Sequence, residues 1–172
     1  MYKKGDIPSI LYAIVAVAVV GIIILFASFM NNAVYDAFDD YFDENPTYND
    51  TTAHQTVNEI QTKENSLWDY VFLGIAMGYL LITALSAYST RISPVFYWIY
   101  GVLSMVGLGC AVLLSNAWQA MVSEAVFAET VARLPITNLF LGTYYPTVTV
   151  AIIVLSMVLL FGKNPNEGGA FG

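Results

Sequence analysis

Charge is scarce in this sequence: Asp, Glu, Lys and Arg make up 11% of its 172 residues, where a soluble domain carries about 25%. Hydrophobic residues make up 58% and the mean hydropathy is +0.64, which leaves too few polar atoms to cover a globular surface. A water-soluble enzyme is thereby excluded. Histidine and cysteine occur once each, as His54 and Cys110. One thiol has no intrachain partner, so there is no disulfide framework. One histidine with no second His or Cys near it supplies neither a zinc set nor a nucleophilic pair, and His54 reads as a solvated residue. Phosphate-binding glycine loops and the Asp-x-Asp-x-Asp-Gly pattern of a calcium loop are also missing. No cofactor or metal is expected. Basic residues are few, six against thirteen acids, and the net charge of -7 disfavours nucleic acid, which calls for basic patches.

What is abundant is long apolar runs. A stretch of 18 or more such residues is long enough to cross a bilayer as a helix. Residues 9–30 form the first, with no charge between Asp6 and Asp36. Residues 68–88 form the second, charged only at the rim by Asp69, and residues 95–118 form the third with no charge at all. Residues 145–161 form a shorter fourth, entered through Tyr144 and Tyr145. The first run is about twice as long as a signal-peptide core, and Ala27-Ser28-Phe29 lacks a cleavage pattern, so it reads as retained. Lys3, Lys4, Arg91 and Lys163 fall on one side, against Lys63 and Arg133 on the other. The positive-inside bias therefore places both termini on the cytoplasmic or interior side. Trp68, Tyr70, Trp118, Tyr144 and Tyr145 would mark the outer interface, where amphipathic rings are favoured.

Between the first two spans, residues 31–66 hold eight acids and one lysine, which is the whole net charge. Val34, Phe38, Tyr41 and Phe42 recur at helical spacing, with Asp36, Asp39, Asp40 and Asp43 on another side. Pro46 lies in a run of turn residues, and Asp50 or Thr51 can cap a second helix after the turn. Ala53, Val57, Ile60 and Leu67 continue it at near-heptad spacing. Arms over 31–44 and 51–66 rise about 21 and about 24 Å at 1.5 Å per residue, so they match as an acidic helical hairpin with an apolar inner stripe. Residues 119–134 read as a third projecting helix ended by Pro135, with an interfacial helix lying flat as the alternative. Residues 135–145 then descend as irregular chain. The fold class is all-α: four transmembrane helices, two of them extended into the hairpin.

Gly74-Ile75-Ala76-Met77-Gly78 is a GxxxG motif, and Gly101, Ser104, Gly107 or Leu108, Ala111 and Ser115 line a smooth stripe on the third span. Small residues let helices approach closely in lipid, so the second and third spans are expected to touch, with homo-oligomerisation as the alternative use. The span centres lack acids and bases, which argues against a proton pump, a voltage sensor or an intramembrane catalytic site. Asp36, Asp39, Asp40, Tyr41, Phe42, Asp43 and Glu44 form the candidate partner-binding face.

A short turn before Val95-Phe96-Tyr97-Trp98, then Ser115-Asn116-Ala117-Trp118 and Leu134-Pro135-Ile136-Thr137-Asn138, complete a layout of spans and acidic hairpin that covers most of the chain. It resembles small polytopic membrane proteins of tailless icosahedral viruses with an internal membrane. That resemblance implies a non-enzymatic structural component of the virion membrane, or of the host membrane during assembly, contacting capsid or other membrane proteins. The alternatives are a holin-like passive pore, which needs a polar stripe along a span, and an accessory subunit of a membrane complex.

Overall fold

The computed structural model describes residues 8–45, 47, 51–89 and 96–161, and among these every regular element is helical. The elements are α1 (Pro8–Glu44), α2 (Thr52–Ser89), α3 (Phe96–Val122), a 3-10 turn (Ala125–Phe127), α4 (Ala128–Ala132), α5 (Pro135–Leu139), a π segment (Phe140–Tyr144) and α6 (Tyr145–Phe161). Four helical stretches, Leu11–Glu44, Thr52–Ala87, Trp98–Val122 and Pro135–Leu159, are long and apolar enough to cross a membrane. Lys3, Lys4, Arg91 and Lys163 lie outside the described residues.

Local chemistry accounts for the ends of the two long helices. Asn45 Nδ2 donates to the Tyr41 carbonyl at 2.8 Å, which satisfies one of the last acceptors of α1. Thr51 Oγ1 accepts from the His54 amide at 3.5 Å, the N-cap arrangement that opens α2.

Around the bundle the order is α1, α2, α6, α3: α1 and α6 each pack on both α2 and α3. The core holds Ile14, Val17, Leu25, Phe72, Ala76, Ala111, Trp118 and Leu141. The second and third spans therefore sit diagonally and do not form the expected close pair. The tight approach occurs at Gly21 of α1, where an added Cβ would collide with the Leu141 side chain and come within 3.3 Å of Phe72.

Three further expectations are corrected. The third span does not run on to residue 134 as a projecting helix. It stops at Val122, and Glu124 is extended. The chain then folds back on α1, where Phe127 meets Phe26 and Phe29 edge-on at ring separations of 5.5 and 5.2 Å. Thr130, buried in the same turn, accepts from Asn32 Nδ2 at 3.3 Å. Partial burial of that aromatic and full burial of that threonine outweigh about three more turns of weakly patterned helix.

Residues 135–145 are helical, so the fourth stretch long and apolar enough to cross a membrane begins ten residues earlier than expected. Pro135 opens the helix because the first helical position needs no N–H. Pro146 explains the π segment: it has no amide for the Gly142 carbonyl four residues earlier, and its ring crowds that carbonyl. The helix widens there instead of breaking. Trp118 and Tyr145, expected in the outer aromatic belt, are buried in the core; the Trp118 indole donates to Asn138 Oδ1 at 3.0 Å and the Tyr145 hydroxyl to the Ile14 carbonyl.

Candidate functional site

The far ends of α1 and α2 lie against each other. Tyr35 donates to Glu64 Oε2 at 2.7 Å, His54 Nε2 lies 2.9 Å from Asp39 Oδ1, and the Phe42 ring stacks on His54 at 5.1 Å. The seam is thus polar and aromatic, built from Tyr35, Asp39, Phe42, His54, Gln61 and Glu64. Val34, Phe38, Tyr41, Ile60 and Leu67, expected to fill it, are exposed instead. The heptad positions facing the partner helix fall on the polar residues; the apolar stripe lies one position round the cylinder.

This geometry splits the candidate partner-binding set. Asp39 and Phe42 turn towards α2 and engage His54. Asp36, Asp40, Tyr41, Asp43 and Glu44 remain exposed. Among the described residues Lys63 pairs with Glu59 and Arg133 with Glu129, and the His54 ring nitrogen lies against Asp39. Asp36, Asp40, Asp43 and Glu44 therefore have no cationic partner among those residues. His54, read as solvated, is half-buried between Asp39 and Phe42.

Lower in the seam, the Asn31 amide and then the Tyr35 hydroxyl hold the Glu64 carboxyl below the ordinary carboxylate range, against a smaller opposing effect of burial. The same hydrogen bond raises the Tyr35 phenol.

A second polar cluster fastens α5 and the π segment to the bundle. Asp69 on α2 is 3% exposed, and its carboxylate accepts from the amides of Ile136 and Thr137, each at 2.7 Å, and from Thr137 Oγ1 at 2.6 Å. A side chain from another helix thus caps α5. Across the bundle, Ser115 Oγ donates to the Gly142 carbonyl at 3.1 Å and Gln119 Nε2 donates to the same oxygen. These donors serve the carbonyl that Pro146 deprives of its helical partner. Arg133 adds a bond to Asn32 Oδ1 at 3.2 Å.

Of the residues predicted to pack helices, Ala111 is buried in the core and Gly107 meets Leu11 and Ile14 of α1, where a Cβ would sit 3.2 and 3.3 Å from their side chains. Ser104 is half-buried. Gly74, Gly78 and Gly101 have nothing within 4 Å of an added Cβ. Sequence reasoning passed over Gly21, Asp69, Ser115 as a donor, and Gln119. A lone acid beside a long apolar run, Asp69, and a proline at the head of the last apolar run, Pro146, were the available signals for two of these.

The bundle interior is filled, with an apolar cavity of about 20 Å³ among Ile14, Val17, Ala76, Phe140 and Tyr145. An open groove of about 500 Å³ lies between α3, α4 and the π segment, lined by residues such as Gln119, Val131, Asn138 and Leu139. No group of three or more His, Cys, Asp or Glu among the described residues is placed to hold a metal ion. Compared with known proteins, the chain matches no family model, no curated protein and no solved structure.

Proposed function

We propose that this chain is an integral membrane protein with a structural or assembly role, and no enzymatic one, which joins a bilayer to a protein layer lying over it. Four apolar crossing segments anchor it, and the ends of α1 and α2 stand above the lipid as an acidic helical hairpin. The observation that carries this reading is the set Asp36, Asp40, Asp43 and Glu44: exposed, without a cation among the described residues, and mounted on one helix continuous with a crossing segment. Such a face suits a partner presenting lysine or arginine. The layout resemblance makes the virion membrane and a capsid protein the first choice of setting.

A filled interior favours an anchor over a pore within one chain, since a passive pore requires a polar lumen. The docking is electrostatic at its rim, so it weakens with salt as the Debye length falls from about 10 Å at 0.1 M to about 3 Å at 1 M.

The test is co-purification after gentle solubilisation. Wild-type chain is expected to bring down a capsid or other overlying protein at low salt, and Asp36→Lys/Asp40→Lys/Asp43→Lys to release it while staying in the membrane. Retention of the partner by the charge-reversed chain would refute the docking role. Release of the chain from membranes by alkaline carbonate would refute the anchor.

A further inference from the structure

The two projecting arms carry an apolar face left open by the described residues. Val34 and Phe38 on α1 are 53% and 49% exposed, and Ile60 and Leu67 on α2 are 49% and 59% exposed. At about 100° per residue, Val34, Phe38 and Tyr41 leave the α1–α2 seam on one side. Because α2 runs antiparallel, Ile60 and Leu67 leave it on the same side. Asp36, Asp40 and Asp43 leave it on the opposite side. Charge and grease are segregated onto two faces of one hairpin.

Lipid does not reach the upper part of the apolar face. Asn31 and Asn32 end the apolar run of α1 just above Met30. Phe38 stands eight residues above Met30, about 12 Å at 1.5 Å per residue, whereas the headgroup layer adds only about 5–7 Å beyond the hydrocarbon on each side. Contiguous apolar surface held in water marks an interaction site.

We infer that this face is where two copies of the chain pair, side by side in the membrane about a two-fold axis along its normal. Three observations favour a second copy. First, such an axis preserves height, and the Tyr35–Glu64 and Phe42–His54 contacts fix which residues share a level. Within a residue or two, Phe38 is level with Ile60, Met30 with Leu67 and Ile23 with Gly74. Rotation by 180° lays α1 of one copy against α2 of the other, so large side chains meet Ile60 and Leu67 above. Below, Ile23 meets the bare surface at Gly74, where an added Cβ touches nothing. Second, the acids lie on the outer faces of such a pair, free of mutual repulsion across the contact and still available to an overlying partner. Third, the face runs from about Val19 to Tyr41 on α1 and across both helices. That is about 33 Å by about 20 Å, from the rise per residue and helix diameter, or close to the about 800 Å² per partner of a stable interface.

This inference rests on the membrane reading above and goes beyond it by naming the arm's partner on the apolar side. The test uses full-length chains in a Cys110→Ala background, with two differently tagged populations co-expressed, one carrying Phe38→Cys and the other Ile60→Cys. Oxidation in carbonate-washed membranes is expected to give a covalent dimer bearing both tags. Asp36→Cys paired with Glu59→Cys is expected to give none. Adding Gly74→Leu to both chains is expected to lower the cross-linked fraction at least tenfold. Retention in the washed membranes without a cross-link overturns the pairing alone, as does equal cross-linking from the acidic face or cross-linking only to a different protein. Loss of the chain in the carbonate wash overturns the membrane reading and the pairing with it.

Discussion

Asp69→Ala is the most informative single substitution. The Asp69 carboxylate accepts three hydrogen bonds at 2.6 to 2.7 Å in a site where the residue is 3% exposed. Truncation leaves two amides and a hydroxyl at a buried helix start with no acceptor. A bond to a charged group is worth about 1.5–3 kcal/mol and an orphaned buried donor costs about 1–3 kcal/mol; losing an N-cap alone costs about 1 kcal/mol. These overlap, and roughly 3 kcal/mol is a fair sum for the local opening of α5. Since about 1.4 kcal/mol is tenfold in an equilibrium constant, the Ile136 and Thr137 amides should lose about a hundredfold of their protection against hydrogen exchange. Thr137→Val removes only the hydroxyl bond and should cost about 1 kcal/mol, with the amides still protected. The assay is residue-resolved exchange of the detergent-solubilised chain. Unchanged protection at Ile136 and Thr137 in Asp69→Ala would refute the cap.

The same contacts set further expected outcomes. Gly21→Ala should destabilise by roughly 1–3 kcal/mol through overpacking against Leu141, and a double-mutant cycle with Leu141→Ala should show favourable coupling of at least about 0.5 kcal/mol; additive effects in unfolding titrations would count against the close approach. Ser115→Ala combined with Gln119→Leu should cost about 1–3 kcal/mol by stranding the Gly142 carbonyl, more than the two single changes together. Pro146→Ala should recover part of that loss by returning an amide, and failure to do so in the same titration would reject the proline account of the π segment. Glu64 has a folded pKa below its ordinary 4.5, so its contribution is whole above that value and fades as pH falls through the lower folded one. Tyr35→Phe should raise the Glu64 pKa in a carboxyl-resolved NMR titration, and an unmoved pKa would deny the hydrogen bond its role.

The outline of the protein was legible in the sequence because length and hydropathy act locally. The uncharged run from Ser9 onward and the start of a second helix after Asp50 or Thr51 each need only their neighbours to be read. What failed did so where a distant group decided the outcome. Pro135 ends a helix by local rules, yet here it begins one, because Asp69, far away along the chain, caps it. Residues 119–134 carry a weak helical stripe, and Phe127 leaves it to reach Phe26 and Phe29. The polar seam of Tyr35, Asp39, His54 and Glu64 is hidden from a rule that buries apolar stripes, because here side chains that bond each other occupy the contact.

Sequence by itself determined that the chain is helical, how many stretches can cross a membrane, and that its charge gathers in one segment between the first two. Tertiary structure alone decided which faces meet: Gly21 against Leu141 instead of Gly74 and Gly78 against the third span, and Asp69 against α5. The reason is physical. In lipid the solvent is as apolar as the core, so hydrophobicity does not distinguish an inward face from an outward one. Shape at a glycine and the demand of each buried polar group for a partner make that choice, and both depend on residues that only the fold brings together.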